Sequence, residues 1–105
     1  MQPKGGSAKS ENISCPVHGA LELLGKRWTA LIIRDLIDGT KRFGELQTSL
    51  GSVSPRMLSL RLGELEEWGI VRRRIFPEVP PRVEYTLTPK GRDLKEIIDS
   101  MASWG

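Results

Sequence analysis

Few residues in this chain could do chemistry on their own. The sequence holds one cysteine and one histidine, placed together as Cys15-Pro16-Val17-His18. Cysteine reacts as the thiolate, and a helix N-terminus lowers a thiol's pKa. Proline suits a first helical position, so Pro16 puts Cys15 at an N-cap. His18 then lies one turn on, where its protonated ring could stabilise a thiolate. The alternative is a cysteine with no signalling role, tucked against a partner chain. A cysteine and a histidine three apart are half of a zinc site, and the chain has no second copy of either. A full site would need two chains, so no metal is expected. No carboxylate pair, phosphate-cradling loop or nucleophile elbow is legible. No catalytic residue, no cofactor and no enzyme activity are expected.

The second kind of chemistry is cationic. Lys41 and Arg42 precede a short amphipathic stretch, and Arg56 stands near the start of a longer one. Arg72, Arg73 and Arg74 run together, and Arg82 follows a loop with prolines at 77, 80 and 81. The formal net charge is +3 and the pI about 9.4. Clustered cations of this kind suit nucleic-acid phosphates, although basicity alone is a weak pointer.

These residues must be positioned by elements, and periodicity supplies them. Val17, Ala20, Leu21 and Leu24 recur at helical spacing over 15–25. Residues 26–39 carry Trp28, Leu31, Ile32 and Leu36 on one face and Ile33 and Ile37 on another, as a central buried helix does. Phe43, Leu46 and Leu50 point one way on a short helix over 43–50. Ser54 is a good N-cap and Pro55 a good first position for a helix over 55–68, with Leu58, Leu62 and Leu65 in one stripe. Val83, Tyr85 and Leu87 alternate with polar residues, which is strand periodicity. Residues 70–76 are rich in β-formers, but alternation there does not decide which arginines face outward. The prolines donate no ladder hydrogen bonds and mark the loop between two strands. A last helix over 89–104 aligns Leu94, Ile97, Ile98, Met101 and Trp104.

The order is four helices, two strands and a helix. A short helix, a tight turn and a capped longer helix form a helix-turn-helix. The hairpin that follows makes it winged. The fold class is therefore mainly α with a small β-hairpin wing. A proline-braced loop loses less entropy on settling against a duplex.

With 105 residues the chain is one domain at most. A domain of this size buries only about 60–65% of its unfolded surface, so a partner chain would help it. Residues 1–12 read as a polar, disordered tail and 13–105 as the folded domain. The N-terminus has no apolar h-region, and no apolar run is long enough to cross a membrane. The lone cysteine forms no internal disulfide and fits a reducing compartment, so a cytoplasmic location is expected.

The sequence resembles the HxlR-type winged-helix transcriptional regulators. The matching stretches are CPV at 15–17, GKRWTALIIRDL at 25–36, RFGEL at 42–46, SPRMLSLRLGELEEWGIV at 54–71 and PEVPPRVEYTLTPKG at 77–91. They run in order over about 13–105. The resemblance implies a homodimer whose first and last helices form much of the interface. It also implies a cysteine sensor at Cys15, because several relatives carry an oxidant- or electrophile-responsive cysteine there.

On this reading double-stranded DNA is the partner, bound as an inverted repeat. With the Leu58/Leu62/Leu65 stripe inward, Arg56, Ser59, Leu60, Gly63 and Glu67 lie opposite. Ser54, Arg56, Ser59 and Leu60 are the expected base-edge residues. An arginine forks onto guanine, and a leucine touches a thymine methyl. Gly63 would let the backbone approach closely. Lys41, Arg42, Arg74 and Arg82 are the expected phosphate contacts. Arg61, at the edge of the stripe, is expected to pair within the protein. Val17, Leu21, Leu24, Leu94, Ile97, Ile98, Met101 and Trp104 are the expected dimer residues. The rival reading is a winged helix used only for protein contacts.

Overall fold

The computed structural model describes residues 15–105. The tail assigned to 1–12 lies outside them. The elements are α1 (Pro16–Leu24), α2 (Thr29–Ile37), β1 (Lys41–Arg42), α3 (Phe43–Leu50), α4 (Pro55–Glu67), β2 (Val71–Phe76), β3 (Arg82–Leu87), α5 (Pro89–Arg92) and α6 (Lys95–Trp104).

One core holds them. Ile32, Ile33 and Leu36 of α2 are fully buried, as are Leu46 of α3 and Leu58, Leu62 and Leu65 of α4. The expected central helix is therefore α2, apolar on two faces because it is covered on both. Leu23, Val71, Tyr85, Leu87 and Ile98 close the core from the remaining elements.

Three features depart from the sequence reading. First, α2 begins at Thr29 rather than 26, because Trp28 takes a left-handed backbone with φ 79°. Second, Lys41 and Arg42 form a short strand, and the sheet has the order β1-β3-β2. Third, the expected helix over 89–104 is broken. A Cβ on Gly91 would collide with the carbonyl oxygen of Ile70, so the first turn is pinned against the β2 entry. The Leu94 N–H bonds back to Gly91 O at 3.1 Å, an i−3 bond that tightens the chain before α6.

The antiparallel register resolves the question of the arginines. Val71 pairs with Leu87, Arg73 with Tyr85 and Ile75 with Val83 on the core side. Arg72, Arg74 and Phe76 stand opposite Thr86, Glu84 and Arg82 on the outer side. Beyond Tyr85 the hairpin leaves the core and projects as a wing.

Among the described residues no helix is long and apolar enough to cross a membrane.

Candidate nucleic-acid interface

The start of α4 is fixed by its cap. Ser54 takes extended backbone, and its Oγ accepts a hydrogen bond from Met57 N–H at 3.0 Å. Pro55 follows with no N–H to satisfy. One lone pair of Ser54 is thus committed to the helix, although the side chain stays exposed. Arg56 and Ser59 are exposed, and Leu60 is 51% exposed. No ion pair among the described residues holds Arg56. A Cβ at Gly63 would meet nothing within 4 Å, so packing within the chain does not require glycine there. The outward face of α4 is thereby a cation, a hydroxyl and an apolar side chain, with bare backbone at Gly63 and the exposed Glu67 beyond.

In the C-terminal half of α4 two of the three glutamates are paired, and Glu67 is exposed without an ion pair among the described residues. Glu64 takes Lys26 Nζ at 3.1 Å and an Arg61 terminal nitrogen at 3.0 Å. Arg61 Nε also donates to Arg27 O at 2.9 Å, so Arg61 pairs within the protein as its place in the stripe suggests. Burial acts to raise the Glu64 pKa, but the hydrogen bonds from Lys26 and Arg61 outweigh it and hold the carboxyl below its ordinary value. Glu66 is taken by Arg73 Nε at 3.6 Å. Neither carboxylate stands free to repel phosphate.

The wing differs from the sequence reading at Arg82. It is 27% exposed on its side chain, 2.9 Å from Glu78 and 3.5 Å from Glu84. Its guanidinium lies 4.0 Å from the centroid of Phe76. Two carboxylates and a ring hold it, so Arg82 braces the hairpin. The sequence reading missed Glu78 and Phe76 as its partners. Glu78 stands four residues before Arg82, but the intervening prolines hide a spacing that is familiar only on helices. Arg74 keeps to the outer face, exposed, 5.6 Å from the same ring and without an ion pair among the described residues. Arg42 is exposed one strand away, opposite Glu84, while its backbone N–H donates to Glu45 Oε1 at 2.8 Å. Lys41 is half-buried and lines a cleft with Asp35, Asp38 and Glu45, without an ion pair among the described residues.

The terminal helices divide the residues assigned to the dimer. Val17, Leu21, Ile97 and Met101 are exposed, and Trp104 is 92% exposed. Leu24 and Leu94 are half-buried against the core. Ile98 is 6% exposed and belongs to the chain's own core, which removes it from the proposed stripe. Leu94 and Ile98, four residues apart, face the core, while Ile97, Met101 and Trp104 share a separate, exposed face.

Cys15 is exposed at the α1 N-cap and makes no side-chain cap bond. His18 Nε2 lies 3.3 Å from Glu22 Oε1, one turn further on. No hydrogen bond among the described residues joins it to Cys15, so the expected thiolate contact is not formed. No cluster of three or more potential metal ligands occurs among the described residues.

Comparison with known proteins agrees with this architecture. Residues 23–105 match the HxlR-like helix-turn-helix family. The HTH-type transcriptional regulator YodB of Bacillus subtilis is 47% identical over 94 residues, spanning 89% of this chain and 84% of that one. The redox regulator HypR in its oxidised form superposes with a TM-score of 0.82 at 45% identity, over 87% of this chain and 94% of that one. The reduced form of YodB superposes with a TM-score of 0.76 at 47% identity, over 86% and 89%. These relatives are transcriptional regulators, not enzymes. A helix-turn-helix with a cationic, uncommitted outer face on its second helix, a hairpin wing behind it and this degree of likeness place the chain in the HxlR-like helix-turn-helix family of DNA-binding transcriptional regulators.

Proposed function

We propose that the protein binds an inverted-repeat operator as a homodimer, with α4 in the major groove and the wing over the flanking backbone. The outward face of α4 carries this reading: Arg56, Ser59 and Leu60 are exposed together on the first turns of a capped helix. Arg56 reads guanine, Leu60 meets a thymine methyl and Ser59 adapts to either. Arg42 and Arg74 take phosphates, which supply affinity without sequence information. The exposed apolar residues of α1 and α6 supply the two-fold contact. The two α4 helices then sit about 34–36 Å apart, one turn of DNA. Light scattering at micromolar concentration tests the assembly, and a monomer contradicts it. Titration of specific and random duplexes with wild type and Arg56→Ala tests the reading. Equal losses on both duplexes mean that another face reads the sequence.

A second part of the proposal is control by oxidation or alkylation of Cys15, at the N-cap of α1. The thiol is exposed on α1, the element that also carries Val17 and Leu21 toward the partner. HypR is a redox regulator, and this chain is similar to it over most of its length. A Cys15–Cys15 cross-link needs Cα atoms within about 7 Å across the two-fold. A mixed disulfide or an alkyl adduct needs only access. Diamide or a quinone is expected to weaken operator binding by wild type and to leave Cys15→Ser unaffected. Identical responses of the two proteins exclude the sensor.

A further inference from the structure

The turn that joins α1 to α2 grips α4 at two points. Lys26 Nζ donates to Glu64 Oε2 at 3.1 Å. Arg61 Nη1 donates to Glu64 Oε1 at 3.0 Å, and Arg61 Nε donates to the Arg27 carbonyl oxygen at 2.9 Å. These contacts close a ring, with two neighbouring residues of the turn on one side and two residues of one α4 face on the other. Arg61 and Glu64 are both half-buried. The turn also holds a backbone outlier. Trp28 sits at φ 79°, where a bulky residue is strained. That torsion sets the direction of the Arg27 carbonyl relative to α2, and this carbonyl is the one that meets Arg61. The Arg27 guanidinium lies over the Trp28 ring, 4.9 Å from its centroid.

The turn belongs to the frame that would join two copies. Its first residue, Gly25, donates its N–H to Leu21 O at 2.8 Å. Leu21 is exposed on α1, within the surface proposed for the two-fold contact. On the other side of the ring, α4 packs through Leu58, Leu62 and Leu65. Apolar contacts fix how deep the helix sits, but they are not directional. Charge-assisted hydrogen bonds are directional, and attachment at two points resists rotation. The neighbouring pair, Glu66 with Arg73, ties α4 to the wing and not to the dimer frame. Arg56 lies eight residues before Glu64, about 12 Å along the helix axis. A tilt of about 10° at the ring would move Arg56 by about 2 Å, more than a base-edge hydrogen bond tolerates.

We propose that Lys26, Arg27, Arg61 and Glu64 form a clasp that positions α4 against the dimer frame and so sets the half-site spacing the protein accepts. Glu64 is its positioning residue, since each of its oxygens takes one of the two cations. Adding or removing one base pair between half-sites shifts one of them by about 3.4 Å and turns it about the duplex axis by about 34–36°. A clasped α4 does not follow that change, and a released one follows part of it. Ion pairs of this kind contribute little to stability, so the clasp acts on spacing more than on folding. The inference rests on the proposed homodimer and on α4 as its reading helix.

Fluorescence anisotropy on a series of duplexes tests it, with the full chain as wild type, Glu64→Gln, Lys26→Met and Lys26→Arg. The series carries two wild-type-selected half-sites at the selected spacing, the same pair with one base pair added or removed, and a single half-site. Wild type should discriminate sharply between the spacings. Glu64→Gln and Lys26→Met should lose about 5-fold of that discrimination and bind the single half-site within about 2-fold of wild type. Lys26→Arg keeps the cation and should discriminate as wild type does. Lys26 is 42% exposed on its side chain, so Lys26→Met carries the test if Glu64→Gln does not fold. Discrimination within about 2-fold of wild type in the folded variants overturns the clasp. An equal loss on every duplex overturns it too and leaves only a stabilising contact, as does a loss in Lys26→Arg as large as in Lys26→Met. A wild type that accepts all spacings alike, or binds one half-site as tightly as two, overturns the proposed dimer, and the clasp with it.

Discussion

The outer face of α4 and the wing carry similar side chains but are wired differently. On α4, Arg56 is exposed and unpaired among the described residues. On the wing, Arg82 has two carboxylates and a ring, and Arg73 has Glu66. A guanidinium that already holds carboxylates has little left to give a phosphate, because new contacts would have to displace the old ones. The two regions therefore divide the work. Arg56 stays free on the helix, and the wing commits two of its four arginines, Arg73 and Arg82, to ion pairs.

The largest effect that sharpens this contrast lies on the hidden side of α4. Leu62→Ala empties a fully buried position and should cost about 2–5 kcal/mol in denaturant unfolding. Leu60→Ala, two residues away on the outer face, should leave stability almost unchanged and weaken the site that contains its thymine. A large stability loss at Leu60 would mean that the outer face packs against the protein after all.

Next in size is Arg56→Ala, expected to cost about 1–3 kcal/mol at the operator and to relax the preference for one base pair. Fluorescence anisotropy on matched and single-substituted duplexes measures it.

The wing effects are smaller and separate its two kinds of arginine. Arg74→Ala should weaken all sequences alike and flatten the salt slope by about one unit. Arg82→Ala should leave the slope nearly unchanged, since its charge is neutralised within the hairpin, and should loosen the wing. A slope change at Arg82 as large as that at Arg74 breaks the comparison.

The smallest effect is pH-dependent. The folded-state pKa of Glu64 is lowered, so its contribution is present above the ordinary carboxylate pKa and is lost as pH falls through the folded value. At neutral pH, Glu64→Gln should cost no more than about 1 kcal/mol, because the ion pairs are partly solvent-exposed. The difference from wild type should shrink as pH falls below the usual carboxylate range. Thermal melts of both proteins between neutral and acidic pH check this.

The recognition helix was legible because its signals are local. Ser54 and Pro55 mark its start, and Leu58, Leu62 and Leu65 repeat at helical spacing. The hairpin was legible from Val83, Tyr85 and Leu87 for the same reason. What stayed hidden depends on partners distant in sequence. The role of Arg82 follows from a register that sets it opposite Phe76 and beside Glu84. The break before α6 follows from Gly91 meeting the Ile70 carbonyl, a contact across the fold. Ile98 lies with Leu94 on the inward face, beside the exposed stripe of Ile97, Met101 and Trp104. The two-residue strand β1 has no period to detect; it is a strand only because β3 is there to pair with it. Trp28 in a left-handed backbone runs against the preference of a bulky residue, which no local signal foretells.

The most direct test of the central claim, that two copies of α4 read two half-sites one turn apart, is a spacing experiment. DNase protection on the DNA upstream of the protein's own coding sequence should show paired half-sites centred about 10–10.5 base pairs apart. Inserting about five base pairs between them puts the half-sites on opposite faces of the duplex and should abolish tight binding. Inserting a full turn of about ten should restore part of it. Undiminished binding to the half-turn insertion, or protection of a single half-site, contradicts the account.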